Sequence, residues 1–210
     1  MRIERRALPA TQTQLSRAEI AEAAFAKCIE GRVCGESCAI KCEKCGSASC
    51  QCMCSPDCPE APEHLSSDPN NYPIEGGIAP LVYEMTRLRM FRPCWSCEGH
   101  VRADGSLWKL PRVWFYCDSV VYVRLLADVV AKLQATAKLS ASWQVVVNFS
   151  DPDNPDTIFS LEPVPLTGDK ITLPMLQSDA GQIARSLKSL ISEQARRVQR
   201  LCAAASQSEA

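Results

Sequence analysis

Nine cysteines fall within 31 residues of this chain: Cys28, Cys34, Cys38, Cys42, Cys45, Cys50, Cys52, Cys54 and Cys58. Thiols this crowded either oxidise in pairs or bind a soft cation as thiolates. A second set follows in Cys94-x2-Cys97-x2-His100. A two-residue gap, here and at Cys42-x2-Cys45, lets one backbone turn present two sulfurs to one ion. Zinc takes four such thiolate or imidazole ligands in a tetrahedron. The second set supplies three of the four. The remaining ligand is expected from Cys117, His64 or a cysteine of the first stretch, the last of which would staple the two regions together. Thirteen cysteines cannot all pair within one monomer, which favours metal over disulfides.

From Arg32 to Asp57 the cysteines are separated by Gly, Ser, Glu and Lys, with almost nothing apolar to bury. Such a segment needs a bound ion as its core. Nine thiols make two four-cysteine sites with one sulfur over, or three ions sharing bridging thiolates. The run Cys50-x-Cys52-x-Cys54-x3-Cys58 resembles the repeat of the pre-SET module of histone methyltransferases, which implies three zinc ions on nine cysteines. The spacing before Cys50 departs from that pattern, and no SET-like catalytic sequence follows. Alternating Cys-x-Cys-x-Cys is also similar to metallothioneins, which implies metal buffering. Cys38-x3-Cys42-x2-Cys45 resembles the motif by which radical S-adenosylmethionine enzymes hold a [4Fe–4S] cluster, which implies an iron–sulfur enzyme. Here Lys44 stands where that family carries an aromatic residue, and the βα units of a partial barrel do not follow.

Other chemistries have little material. Two histidines, both near cysteines, leave no Ser-His-Asp constellation. Cys94-x2-Cys97 as a redox dithiol would want a helix N-terminus after a strand, whereas a helix-like segment and Pro93 precede it. Asp151, Asp153 and Asp156 lie among prolines and read as a turn rather than an ion loop. Cys117 and Cys202 read as small buried or surface residues. A net charge of −1 gives no electrostatic case for nucleic acid or membrane. The basic residues Arg185, Lys188, Arg196, Arg197 and Arg200 read as a solvated helix face. No signal peptide follows Arg2, Arg5 and Arg6, and Val113–Val130 is broken by charges, so the expected compartment is the cytoplasm.

These residues require elements to position them. Residues 1–15 read as a tail, and 16–58 as a helix plus the metal-organised cysteine module. The helix opens on a Ser16-x2-Glu19 capping box and carries Ile20, Ala24, Phe25, Cys28 and Ile29 on one side. The proline-rich stretch 59–80 reads as a linker that wraps the next domain. Residues 81–210 form that domain. A helix is expected over Ala79–Phe91, then two short strands around Val101 and Leu107–Leu110 joined at Asp104-Gly105. A strand at Val113–Cys117, a helix capped by Asp118 or Ser119, strands at Trp143–Phe149 and Thr157–Leu161, and a helix over 179–204 complete it. The fold class is therefore α+β: a small layered domain in β-α-β-β-α order behind a cysteine module with little regular structure. The expected function is a non-enzymatic zinc protein whose clusters support protein interaction; an iron–sulfur protein and a metal buffer are the alternatives.

Overall fold

A computed structural model describes residues 16–25, 74–148, 157–164 and 171–208. The cysteine stretch 28–58, His64, and the acidic turn 151–156 lie outside the described residues. The chain runs α1 (16–25), α2 (Ala79–Arg87), β1 (Phe91–Cys97), β2 (His100–Val101), β3 (Leu107–Lys109), β4 (Arg112–Cys117), α3 (Val120–Ala135), β5 (Trp143–Asn148), β6 (Ile158–Pro163) and α4 (Leu173–Ser208). It is a mixed α+β fold. Four strands form one antiparallel sheet in the order β1-β4-β6-β5, and β2 and β3 pair as a separate hairpin. Among the described residues, no helix is long and apolar enough to cross a membrane.

The strands of the main sheet alternate. Val113, Phe115, Phe159 and Leu161 face the helices and join one core with Leu81, Val82 and Met85 of α2, Leu125, Leu126 and Val129 of α3, and Ile183, Leu187 and Ile191 of α4. Phe115 sits centrally, edge-on to Phe91 and stacked with Phe159, at centroid distances of 5.4 and 5.8 Å. Helix α3 follows its sequence closely. Ser119 caps it by accepting the Val121 N–H, and Tyr122, Leu125, Leu126, Val129, Val130 and Leu133, which recur at helical spacing, are all buried. The helix ends in a Schellman-type turn, Lys138 N–H bonding the Leu133 carbonyl, with Ala137 in the left-handed region at φ 53°.

Other elements depart from expectation. Helix α2 stops at Arg87 rather than Phe91, because Arg89 adopts φ 52° and turns the chain. Met90 and Phe91 then enter the core from the next strand. That strand, β1, absorbs Arg92-Pro-Cys94-Trp-Ser-Cys97, where a backbone turn presenting Cys94 and Cys97 to one ion was expected. It is an edge strand with a register shift between Pro93 and Trp95, where a proline is tolerated. Helix α4 begins six residues before Asp179, with Pro174 in its first turn where a missing N–H costs nothing. Leu201, which the helical spacing of Ile183, Leu187, Ile191 and Val198 assigns to the inner face, is 62% exposed. Lys132 of α3 makes a 2.6 Å contact with Glu193 of α4. Finally, α1 packs on the domain: Ala21 and Ala24 are fully buried in the core, and the Arg196 guanidinium lies 4.4 Å from the Phe25 ring.

Candidate metal centre

The strand β1 ends at Cys97, and the chain must reverse to start the β2–β3 hairpin. Gly99 makes that reversal at φ 87°. A side chain there would be strained, and its Cβ would come within 3.0 Å of the Lys109 carbonyl and 2.6 Å of the Leu173 side chain. The tight turn brings the Gly99 N–H onto the Cys97 sulfur at 3.4 Å and swings His100 back beside it.

The third member comes from the other side. Glu75, on the approach to α2, places its carboxylate Oε1 3.3 Å from His100 Nε2. A sulfur of Cys97, a ring nitrogen of His100 and a carboxylate oxygen of Glu75 all lie within 4.8 Å of one another. Two ligands bound about 2.0–2.1 Å from zinc at a tetrahedral angle are separated by about 3.3 Å. The Glu75–His100 edge already has that length, and the sulfur lies within 4.8 Å of both.

A second tier of hydrogen bonds holds these donors. The other oxygen of Glu75 accepts the Glu98 backbone N–H at 2.7 Å, and the Glu98 carboxylate in turn accepts the Gly77 N–H at 2.6 Å. The two segments are thus laced together reciprocally. From α4, Gln177 Nε2 donates to the Glu98 carbonyl at 3.3 Å. Such outer contacts fix ligand orientation in metal sites. Cys97 is buried, Glu75 is largely covered, and His100 is about one-third exposed beside the Trp108 ring. The cluster sits in a wall with one open side.

Of the expected set, Cys97 and His100 are brought together and Cys94 is not among the clustered donors. Cys94 has no register partner, falling at the irregularity of β1. A strand does not wrap two residues three apart around one ion as a turn does. Burial also pushes the Cys94 thiol up, although its backbone hydrogen bond opposes this, so it favours the neutral form. Cys117, one expected source of a fourth ligand, pairs with Phe91 while Cys97 pairs with Arg112. Six strand positions separate them, about 20 Å. Its thiol instead contacts the Met90 and Ser119 carbonyls, each at 3.3 Å. Cys202 is half-buried in α4. Glu75 was missed because it stood in a proline-rich stretch with no cysteine or histidine near it in sequence.

The fold and site together define a two-layer α+β domain with a Glu-Cys-His group at one corner of its sheet. No known protein family matches this chain, and neither does any curated protein or solved structure.

Proposed function

We propose that this is a zinc-binding protein whose ions are structural. One is held on the domain by Glu75, Cys97 and His100, and others by the thiolates of Cys28 to Cys58. The observation that carries this reading is the convergence of one thiol, one imidazole and one carboxylate within 4.8 Å. Sulfur, nitrogen and oxygen in one set suit zinc, which accepts all three, better than calcium or magnesium, which demand oxygen. The braced position of Glu75 and the N–H directed at Cys97 favour a site prepared for an ion over an accidental cluster. Held this way, the ion pins the approach to α2 against the β1–β2 corner. The cysteine stretch, organised by its own ions, serves as a rigid surface for another protein.

Absorption and elemental analysis of anaerobically purified protein test the reading. It expects a colourless sample carrying about two to four zinc ions per chain, as four-ligand sites allow. A brown sample with iron and labile sulfide would overturn it in favour of an iron–sulfur centre on Cys38, Cys42 and Cys45. Fully labile ions whose removal leaves the cysteine stretch's spectroscopic signature unchanged would favour buffering.

A further inference from the structure

Strand β5 lies at one edge of the four-stranded sheet, and its bonds to β6 engage only alternate residues. The Val164 N–H bonds the Ser142 carbonyl at 2.8 Å, one step beyond the register pair of Trp143 with Pro163. Antiparallel neighbours alternate between pairs that exchange bonds and pairs that do not. Gln144, Val146 and Asn148 therefore bond to β6, whereas Trp143, Val145 and Val147 direct their N–H and C=O groups away from it. Pro163 agrees with this phase, since its missing N–H falls at a pair that exchanges no bond. No other described residue bonds the outward backbone groups.

The two edges of the sheet differ. At the other edge, β1 carries Pro93 and a register shift before Trp95, devices that keep a free edge from pairing. Strand β5 has neither. Its register with β6 runs unbroken over Trp143–Asn148, and its sequence Trp-Gln-Val-Val-Val-Asn holds no proline, glycine or charge. A segment of this kind is a strong template for another strand. Val147, opposite the core residue Phe159, is nevertheless 60% exposed.

The order of side chains selects a second copy of the same strand. Two β5 strands laid antiparallel about an axis at Val146 set Val146 opposite the partner's Val146. Val145 then meets the partner's Val147, and Gln144 meets the partner's Asn148. Valine faces valine and amide faces amide, the cross-strand matching that stabilises a sheet. The backbone is in phase as well: Val145 and the partner's Val147 both point at the shared edge and exchange bonds in both directions. The same contact covers the exposed Val147. The strand is uncharged, so the pairing brings no like charges together. We propose that the protein is a two-fold dimer joined through β5, its two four-stranded sheets running on as one. Such an isologous contact closes at two copies.

Sedimentation equilibrium and amide hydrogen exchange on the full chain test this. The wild type is expected to be a dimer. Val146→Lys sets like charges face to face at the axis and weakens association at least tenfold. Val146→Glu does the same, and an equimolar mixture of the two variants restores the dimer. The Val145 and Val147 amides exchange at least tenfold faster in either variant alone, while Gln144, bonded to β6, keeps its protection. Val147→Pro gives an independent route, because it removes an N–H that the ladder with β6 does not use. It yields a monomer with an unchanged near-ultraviolet circular dichroism spectrum. A wild type that stays monomeric at millimolar concentration overturns the proposal, as does a dimer retained by folded Val147→Pro. Slow exchange at Val145 and Val147 in a monomeric sample also overturns it, because the edge would then be covered from within one chain.

Discussion

At the residue scale, Gly99 and Cys97 carry the most consequence. Gly99→Ala places a Cβ against the Lys109 carbonyl at a backbone angle that only glycine adopts readily. The expected cost is roughly 1–3 kcal/mol of stability. If the turn also aims an N–H at the Cys97 sulfur for metal, the same variant weakens zinc binding beyond what its stability loss explains. Chemical denaturation and a competitive chelator titration on one sample separate the two effects. Ala137 offers the opposite case. It occupies the left-handed region after α3 without glycine's freedom, so Ala137→Gly should gain about 1 kcal/mol in a urea melt. The clustered donors show what spacing can and cannot reveal. Cys97 and His100 were legible because two intervening residues suffice for one turn. Cys94 looked equivalent in sequence, but a strand separates it from that turn. Glu75 was illegible because its partnership with His100 is made by tertiary packing alone.

At the element scale, the long C-terminal helix organises the domain. Its 36 residues span about 54 Å and meet both α2 and α3. Its Asp179, 3% exposed, accepts hydrogen bonds from Ser140 N–H, Ala141 N–H and the Trp143 indole at 2.8, 3.0 and 3.2 Å. One carboxylate thereby fixes the turn between α3 and β5 and the start of that strand. Asp179→Ala strands three donors in the interior and should cost about 2–4 kcal/mol, read as a lowered urea midpoint. A second tie is exposed. Lys132 hydrogen-bonds Glu193 and holds its carboxyl below the usual range. A carboxyl depressed on folding stabilises above its unfolded pKa, and that contribution is lost as pH falls through the lower folded value. Lys132→Met should therefore move the Glu193 titration upward in carbon-detected NMR and flatten the acid limb of stability. Helix α3 was readable to within a residue because its cap and apolar stripe agree. The end of α2 was not, since an arginine rather than a glycine takes the left-handed position.

At the scale of the whole molecule, the domain and the cysteine stretch rest on different physics. The domain has an apolar core shared by the sheet and α1 to α4, and Glu75, Cys97 and His100 are not among its residues. The segment from Arg32 to Asp57 has few apolar side chains, Val33, Ile40 and Met53 being the largest, against seven cysteines able to bind ions. Cys42→Ser should accordingly release metal while leaving the far-ultraviolet circular dichroism of the helices nearly unchanged. Collapse of the entire spectrum would contradict this division. The layered α+β class was legible because β4 to α4 each carry one clean hydrophobic period. The edge position of β1 was not, because proline, two cysteines and tryptophan spell neither a strand nor a helix. The packing of α1 on the domain was equally hidden, since its alanines and Phe25 say that a face is buried but not against what.

The central claim is that Glu75, Cys97 and His100 hold one ion. Native mass spectrometry of the full chain, purified under zinc and without oxygen, tests it most directly against the variant Cys97→Ser/His100→Gln. The account predicts that the variant carries one zinc fewer than the wild type while its near-ultraviolet circular dichroism still reports a packed core. An unchanged zinc count in a folded variant would contradict it.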